Sequence, residues 1–348
     1  MKIPVAAITD NKLAFALGTL FINLMETKNE STFYDLYAIL SPDVTEENIA
    51  KIKLIEDKYK DKCSVNIIQM DSRFDNIKNK TGYIANACAY KMCLGELFPQ
   101  YDKIVYLDTD IVVFDDLSEL YNTELGNNYV AGVFGLDQYF MRYELPKKIG
   151  IPDMTEYINA GVLVLNLEQI REDKIEEKEQ ALIGTFDDSV DQHILNKVCY
   201  NRIIHVHPKW NAFQTGEVPY RSSVALCGMT KQEQEQIFLR PSIYHYTGTL
   251  KPWKYYNLKY SLIWQQYYKK SPFSSEVLRL KFTKSSPCIH NWINPYYKLD
   301  RKILIFIALL EFLYKLTKFS LINKFLINFE NKIEASQEYF WRNVGGNK

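Results

Sequence analysis

The chain has 348 residues, with 42 lysines and arginines against 42 aspartates and glutamates, so its formal net charge is zero. Its hydrophobic content of 47% allows a large buried core, and the balanced charge gives no reason to expect a nucleic-acid partner. No stretch offers the ~20 uninterrupted apolar residues of a membrane span, and the apolar run after Lys2 is too short for a secretory signal.

Strand-like and helix-like segments alternate through the first third of the chain. Short apolar runs that end at turn residues predict strands, and longer stretches with apolar residues three or four apart predict helices. In chain order, the predicted elements are a strand at 3–9, a helix at 13–25, a strand at 33–40, a helix opened by Ser41-Pro42-Asp43, a strand at 64–70, a helix at 84–97 and a strand that ends at Asp108. This order predicts an α/β fold with three layers around a mostly parallel sheet. Ligands of such sheets bind beyond the carboxyl ends of the strands, where Asp10 and Asp108 are expected to lie.

The middle of the chain continues in shorter elements. The pattern predicts strands at 129–134, 158–166 and 203–206 and a helix that begins at Asp191. Residues 214–240 are polar and are interrupted by glycine and proline, which predicts a loop.

The last quarter of the chain differs from the rest in charge and aromatic content. Residues 251–348 carry 17 Lys and Arg against 6 Asp and Glu, so they have a charge of +11 and the preceding 250 residues have −11. We therefore expect an α/β domain over 1–255 and a small basic, aromatic, helical region over 256–348. Within that region, 303–329 is a candidate amphipathic helix whose lysines predict contact with an anionic membrane surface. The alternative, commoner for a single apolar helix, is packing against its own domain.

Six cysteines are scattered along the chain without a Cys-x-x-Cys pair. This spacing predicts reduced thiols in place of a disulfide framework or a zinc site. Together with the missing secretory signal, it predicts a cytoplasmic protein that lies peripherally on the inner face of the cell membrane if the basic region binds there.

An apolar strand ends in two carboxylates one residue apart, in the sequence Ile104-Val105-Tyr106-Leu107-Asp108-Thr109-Asp110. In an extended chain Asp108 and Asp110 share a face, and they could chelate one hard divalent cation. Buried acids at a strand end are costly unless a cation meets them. The alternative is a polar turn that only leaves the strand, and the triplet by itself favours that alternative.

Four further segments change this balance. They are Tyr157-Ile158-Asn159-Ala160-Gly161-Val162, Asp191-Gln192, His207-Pro208-Lys209-Trp210-Asn211 and His245-Tyr246-Thr247-Gly248-Thr249-Leu250-Lys251-Pro252-Trp253. With the acidic triplet, in this order and over residues 3–255, they resemble the family 8 retaining glycosyltransferases, which include glycogenin and the bacterial lipopolysaccharide galactosyl- and glucosyltransferases. The resemblance implies a GT-A fold with a Rossmann-like nucleotide-sugar-binding domain. It also implies transfer of a hexose from a UDP-sugar to a glycan hydroxyl.

The resemblance and the residue chemistry agree on a metal site. Asp108, Asp110 and His245 would hold Mn²⁺ or Mg²⁺, which would neutralise the charge that develops on the diphosphate leaving group. A histidine beside two carboxylates favours Mn²⁺. A buried structural role is the better prediction for any lone histidine, but the His-x-x-Gly-x-x-Lys-Pro-Trp setting reverses it. Gly248 would let the backbone approach a phosphate, and Lys251 would place a positive charge on the diphosphate.

The resemblance also implies which residues contact the donor. Gln192 would lie under the β-face of the sugar and stabilise the charge of the transition state, with Asp191 beside it on the sugar hydroxyls. Because glutamine is a poor nucleophile, we expect a front-face mechanism, in which the acceptor hydroxyl attacks as the nucleotide leaves. The other residues expected to contact the nucleotide or the sugar are Ala7, Thr9, Asp10, Asn11, Lys91, Asp108, Thr109, Asp137 and Asn159. The alternatives are a strand-end cap for Asn159 and a solvated loop acid for Asp137.

Two positions depart from the family's pattern. Lys12 stands where a tyrosine often stacks on uracil, so the base would lack that partner. Lys91 stands where an arginine often reaches the donor, which keeps the charge but loses the bidentate fork. We expect donor affinity or sugar choice to change as a result.

These features together predict a metal-dependent retaining glycosyltransferase that uses UDP-glucose or UDP-galactose and builds a lipopolysaccharide or another cell-surface glycan. The first alternative is a glycogenin-like transfer to a protein or polysaccharide. The second is a catalytically silent protein that binds sugar nucleotides. The complete set of Asp108, Asp110, Gln192, His245 and Lys251 argues against a silent protein.

Overall fold

The computed structural model describes residues 1–74, 86–135, 149–152, 156–186, 190–213, 239–255 and 258–275, with isolated residues between 229 and 237 and at 278 and 280. Within this part of the chain, residues 1–251 and 266–277 belong to one compact unit and residues 252–265 to a second. The division of the chain into 1–255 and 256–348 stays a prediction, because most of the second part lies outside the described residues.

Two sheets carry the main unit. Its strands are β1 (Lys2–Thr9), β2 (Phe33–Leu40), β3 (Cys63–Gln69), β4 (Lys103–Leu107), β5 (Ile111–Val113), β6 (Val130–Phe134), β7 (Ile158–Asn166), β8 (Ile203–His205), β9 (Ala212–Phe213) and β10 (Ile243–His245). Seven of them form a sheet in the order β3-β2-β1-β4-β7-β6-β8, and β5, β10 and β9 form a second sheet in that order. In the larger sheet only β7 runs antiparallel to its neighbours β4 and β6. The expected α/β fold with a mixed, mostly parallel sheet is confirmed.

Helices lie between these strands along the chain and after the last of them. They are α1 (Ala14–Thr27), α2 (Glu46–Lys58), α3 (Leu94–Leu97), α4 (Ser118–Tyr121), α5 (Leu167–Glu172), α6 (Ile175–Gln180), α7 (Val190–Val198) and α8 (Ser261–Lys270), with 3₁₀ turns at Asn11–Leu13, Ser72–Phe74, Asn86–Cys93 and Pro208–Asn211. The helix α1 is buried along most of its length, from Ala14 to Met25. Such a helix needs apolar residues on more than one face, as this one has.

Two predicted helices differ from the observed ones. The helix expected to open at Ser41-Pro42-Asp43 begins at Glu46, because the Thr45 hydroxyl caps it by accepting a hydrogen bond from the Asn48 amide at 3.3 Å. The run predicted to be helical at 84–97 is helical where it is described, but residues 86–93 form a 3₁₀ segment with a kink at Met92, and only Leu94–Leu97 is α-helical. Proline at a first-turn position and a run of small residues both favour helix locally, but neither fixes where the helix starts.

The topology brings several strand ends to one edge of the large sheet. Strands β1 and β4 are parallel neighbours, so Asp10 and Asp108 follow adjacent carboxyl ends, as predicted. Because β7 runs the other way, its first residues lie at the same edge, and the Asp108 amide donates to the Gly161 carbonyl at 2.8 Å. In the small sheet β10 pairs antiparallel with β5, which places His245 opposite Ile111 and next to Asp110.

The chain is not extended through Asp108-Thr109-Asp110, because β4 ends at Leu107 and β5 starts at Ile111 in the other sheet. The expectation that the two carboxylates share a face by strand alternation was therefore wrong. They meet because the chain turns between two sheets.

Within the described residues, no helix combines the length and apolar character needed to cross a bilayer. The candidate helix at 303–329 lies outside this part of the chain, as does most of the loop predicted at 214–240. Cys63, Cys88, Cys93 and Cys199 carry free thiols.

Candidate active site

Three side chains form a candidate metal site at the shared strand edge. Single ligand atoms of Asp108, Asp110 and His245 lie within 4.8 Å of one another. The His245 Nε2 atom is 3.1 Å from Asp110 Oδ1 and 3.7 Å from Asp108 Oδ2. Two carboxylates and an imidazole are a donor set that suits Mn²⁺ and tolerates Mg²⁺.

Neighbouring groups decide which oxygen of Asp108 faces this site. The Tyr106 hydroxyl donates to Asp108 Oδ1 at 2.7 Å, and the Lys91 ammonium lies 3.2 Å from the same oxygen. The other oxygen, Oδ2, is left to point toward His245. Burial and the negative charge of Asp108 raise the pKa of Tyr106 well above its usual value, so this hydroxyl stays a donor at any physiological pH.

Gly161 keeps the same corner open. A Cβ at this position would lie 2.2 Å from His245 Cε1 and 2.7 Å from Asp108 Oδ2, both closer than atoms can approach. A side chain here would therefore push apart two of the three candidate ligands. The donor set, its spacing and this glycine together fit a divalent cation.

Asp110 lies between two groups that favour its charged form. Burial by itself would raise the pKa of Asp110, but Lys251 and His245 outweigh it and hold the pKa well below its usual range. The Lys251 ammonium contacts Asp110 Oδ2 and donates to the Tyr246 carbonyl at 2.7 Å. Lys251 thus lies beside the candidate metal site.

Lys91 connects the candidate metal site to a second group of polar side chains, which contains Asp191 and Gln192 and is called the second corner. Its ammonium is 3.2 Å from Asp108 Oδ1, 2.6 Å from Asp191 Oδ2 and 3.0 Å from the Ala160 carbonyl oxygen. Burial would lower the pKa of Lys91, but Asp108 and Asp191 outweigh it and keep the pKa well above its usual value. Three acceptors match the three N–H groups of the ammonium, so Lys91 bridges two carboxylates.

Gln192 lies in that second corner and is held by hydrogen bonds. Its Oε1 accepts from Asn159 Nδ2 at 3.0 Å and from the Ala160 amide at 3.2 Å, and its Nε2 donates to the Tyr157 hydroxyl at 3.0 Å. Gln192 and Asn159 are both buried. The helix α7 carries Asp191 and Gln192 next to each other, and β7 carries Asn159.

The residues expected to bind the base are placed at the end of β1. Ala7 and Thr9 are buried, and the Asp10 carboxylate caps the following 3₁₀ turn by accepting from the Leu13 amide at 3.0 Å. The Asn11 side-chain oxygen accepts from the Thr45 amide at 3.0 Å and from Asn48 at 2.8 Å. It therefore ties the turn to α2, and its oxygen is engaged within the protein.

The remaining predicted positions fall in three groups. Thr109 is buried between Asp108 and Asp110. Gly248 adopts φ +73°, a left-handed conformation that favours glycine, and a Cβ at this position would have no described atom within 4 Å. Asp137 lies outside the described residues.

Sequence reasoning assigned no role to Tyr106, Gly161, Tyr157 or Asn211. Tyr106 precedes Asp108 by two residues in a strand, and this spacing is the one signal that could have found it. The contacts of Asn211 with Asn159 and His245 join distant parts of the chain, so no local pattern reveals them.

Known proteins share sequence similarity with this chain over most of its length. The family model described as Glycosyl transferase family 8 matches residues 4–257. The chain is 24% identical over 259 residues to General stress protein A of Bacillus subtilis (strain 168), which covers 72% of this chain and 86% of that protein. It is 26% identical over 157 residues to the lipopolysaccharide 1,2-glucosyltransferase of Escherichia coli (strain K12), covering 44% of each chain.

A solved structure shares the architecture. The galactosyltransferase LgtC, in complex with donor and acceptor sugar analogues, matches with a TM-score of 0.65 and 21% identity over 79% of this chain and 97% of that chain. This match establishes a GT-A type of α/β fold.

Proposed function

This chain belongs to glycosyl transferase family 8, and from that premise we propose that it is a metal-dependent retaining hexosyltransferase. The enzyme takes glucose or galactose from a UDP-sugar and attaches it to a hydroxyl of a lipopolysaccharide, a lipooligosaccharide or another cell-surface glycan. The acceptor hydroxyl attacks the anomeric carbon from the side of the departing nucleotide. As the C–O bond to the acceptor forms and the bond to the diphosphate breaks, the hydroxyl proton passes to a phosphate oxygen.

The observation that carries this proposal is the ion bridge made by Lys91. Its ammonium contacts Asp108, a candidate metal ligand, and Asp191, the neighbour of Gln192. A diphosphate placed near Asp108 and a sugar placed near Asp191 would therefore lie on adjacent sides of one buried cation. Lys91 acts on the donor through these two carboxylates, because its own N–H groups are already matched within the protein.

The metal site supports departure of the nucleotide. A divalent cation bound by Asp108, Asp110 and His245 supplies Lewis-acid neutralisation of the diphosphate. Lys251 adds a second positive charge next to Asp110, within reach of the same anion. Gly248, with no described atom within 4 Å of a Cβ position, leaves room for a phosphate to approach the backbone.

The second corner positions the sugar. The Asp191 carboxylate, paired with Lys91, accepts hydrogen bonds from sugar hydroxyls. Gln192 stabilises the positive charge that develops at the anomeric carbon, with its amide held in one orientation by Asn159, Ala160 and Tyr157. Holding a dipole in place before the reaction avoids reorganisation when charge develops, which is the source of such stabilisation.

A donor panel tests the proposal. Purified full-length protein is given UDP-glucose, UDP-galactose and other nucleotide sugars in Mn²⁺, in Mg²⁺ and in EDTA, and released UDP is measured. We expect slow metal-dependent release from one hexose donor and faster release when truncated lipopolysaccharide is added. Tight UDP binding with no release from any donor, with lipopolysaccharide and polysaccharide acceptors present, would instead support the silent nucleotide-binding protein. Stimulation by a polysaccharide alone would favour the glycogenin-like alternative.

The basic region over 256–348 is the part of the chain that we expect to contact a membrane surface. Its 15 Lys and Arg against 6 Asp and Glu give it a charge of +9, which would hold the enzyme next to anionic headgroups and lipid-linked acceptors. Flotation with vesicles that contain anionic lipid tests this step, with neutral vesicles as the control. The full-length protein is expected to float with anionic vesicles only and a protein truncated after residue 277 to stay in solution. Equal flotation of the two proteins would remove the membrane contact from the account.

A further inference from the structure

A continuous line of buried polar side chains connects the candidate metal ligand to Gln192 and continues beyond it. Each member hydrogen-bonds to the next, at distances of 3.1, 2.8, 3.0, 3.0 and 2.7 Å in turn. All of these side chains are at least nine-tenths buried. In order, the members of this polar chain are His245, Asn211, Asn159, Gln192, Tyr157 and His193.

Two backbone amides of β7 set the direction of the polar chain. The Gly161 amide donates to Asn159 Oδ1 at 3.0 Å, and the Ala160 amide donates to Gln192 Oε1 at 3.2 Å. A backbone N–H is always a donor, so the atoms that face these two amides must be oxygens. The orientations of both side-chain amides are therefore fixed by the main chain, and each presents its NH₂ group away from these contacts.

Toward His245, the orientation of Asn159 determines which ring nitrogen of the histidine carries a hydrogen. Because Asn159 Oδ1 is an acceptor, Asn211 must present its Nδ2 to it, at 2.8 Å. The Asn211 oxygen then faces His245 Nδ1 at 3.1 Å, and this nitrogen must carry a hydrogen to donate. With Nδ1 as the donor, it is Nε2 that turns to Asp108 and Asp110. The hydrogen bond at one ring nitrogen thus decides which nitrogen can bind a metal.

Toward His193, the orientation of Gln192 determines the role of the Tyr157 hydroxyl. Gln192 presents its NH₂ group to the Tyr157 hydroxyl, which accepts at 3.0 Å. The Tyr157 side chain is fully buried, and its hydroxyl lies 2.7 Å from His193 Nδ1. If the hydrogen bonds continue in the same direction, Tyr157 donates to His193 Nδ1, whereas His245 donates from the same ring position.

We propose that Asn211 and Tyr157 are positioning residues. In this proposal every hydrogen bond of the polar chain runs in one direction, from His245 toward His193. That direction fixes both the nitrogen of His245 that binds metal and the orientation of the Gln192 amide. The inference deepens the proposed function and rests on it for the roles of His245 and Gln192. Asn211 acts on metal affinity, and Tyr157 acts on the chemical step.

Histidine ¹⁵N NMR of the full-length wild-type protein tests the direction, and variants serve only to assign its signals. The chain contains five histidines, so selective labelling gives a simple spectrum, and single substitutions assign the signals. We expect Nδ1 of His245 to be protonated and Nδ1 of His193 to be unprotonated, both in the absence of metal and with Mg²⁺ and UDP. An unprotonated Nδ1 in His245, or a protonated one in His193, would overturn the proposal.

Two variants then separate the two roles. Asn211→Leu removes the acceptor of His245 Nδ1 and is expected to weaken Mn²⁺ binding roughly 10- to 100-fold, measured by electron paramagnetic resonance of free Mn²⁺ in the presence of UDP. Tyr157→Phe is expected to leave Mn²⁺ binding within about twofold and to lower kcat about tenfold, with little change in the KM of the donor. Mn²⁺ binding that is unchanged in Asn211→Leu would overturn the role of Asn211, and an unchanged kcat in Tyr157→Phe would overturn that of Tyr157.

The matched control is Asn23→Leu. Asn23 is equally buried and hydrogen-bonds the Val113 backbone in both directions at 2.7 Å, so its loss costs stability outside the polar chain. We expect Mn²⁺ binding unchanged in this control, and a loss equal to that of Asn211→Leu would assign the effect to general destabilisation. Because the NMR signals and Mn²⁺ binding are measured without turnover, a protein that transfers no sugar can still pass or fail this test.

Discussion

Gly161→Ala places a methyl group directly against the candidate metal site. The added carbon would lie 2.2 Å from His245 Cε1, whereas two carbons in contact are about 3.5 Å apart, so the ring must recede by roughly 1.3 Å. It would also lie 2.7 Å from Asp108 Oδ2. The backbone at residue 161 gives little relief, because its carbonyl is held by the Asp108 amide at 2.8 Å inside the sheet.

The displacement predicts a loss of metal affinity with the fold retained. Metal–ligand distances tolerate shifts of about 0.2 Å, so moving His245 by more than 1 Å removes it from the ligand set. We expect Mn²⁺ affinity to fall at least tenfold, or about 1.4 kcal/mol. Overpacking in a well-packed region costs about 1–3 kcal/mol, which lowers Tm without preventing folding.

The assay is a Mn²⁺ titration with UDP present, followed by electron paramagnetic resonance. Gly132→Ala is the matched control, because its Cβ would lie 2.7 Å from Ile158 Cδ1, the end of a buried apolar side chain on the neighbouring strand. It should lower Tm by a similar amount and leave Mn²⁺ binding unchanged. Wild-type Mn²⁺ affinity in Gly161→Ala would refute the placement of the metal between Asp108 and His245.

Two further predictions concern the second corner and the buried acid behind it. Gln192→Ala should lower kcat roughly a hundredfold and leave the donor KM within about threefold, because the residue acts on the transition state more than on binding. Steady-state kinetics with the preferred donor measures both constants. A near-wild-type kcat would remove Gln192 from the mechanism. Burial, with the nearby charges of Glu176 and Asp191, raises the pKa of Glu179 from 4.5 to about 8. Between these two values the unfolded chain has lost the proton and the folded protein keeps it, so Glu179 lowers the free energy of unfolding by up to about 1.4 kcal/mol per pH unit as pH rises. Glu179→Gln should therefore raise Tm relative to wild type at pH 8 and have little effect at pH 4.5 in thermal melts, whereas a Tm difference that is the same at both pH values would contradict a protonated Glu179.

The architecture was predictable from local patterns where those patterns are strong. Strand β2 and strand β7 have the predicted bounds, because continuous apolar runs between turn residues define them. The start of α2 was misplaced by several residues, since Pro42 and Thr45 both carry helix-start signals and only the structure shows that Thr45 provides the cap. The reversal of β7 relative to its neighbours has no local signal, because parallel and antiparallel strands in a buried sheet have similar composition.

The candidate site divides in the same way. The acidic triplet and the His245 segment predicted a metal site through their residue types and spacing. The protein partners of Lys91 did not follow from its sequence, since Asp191 and Ala160 lie 69 or more positions away along the chain. The direction of the polar chain depends on two backbone amides and five side-chain contacts, so it becomes visible only when the strands are in place.

Metal-dependent turnover is the most direct test of the account. UDP release from the preferred hexose donor is measured in wild-type protein and in Asp110→Asn, first in EDTA and then after addition of excess Mn²⁺. We expect EDTA to stop release in the wild type and Mn²⁺ to restore it, whereas Asp110→Asn stays at least roughly 100-fold slower at every Mn²⁺ concentration. Full release in EDTA, or a wild-type rate in Asp110→Asn, would contradict this expectation.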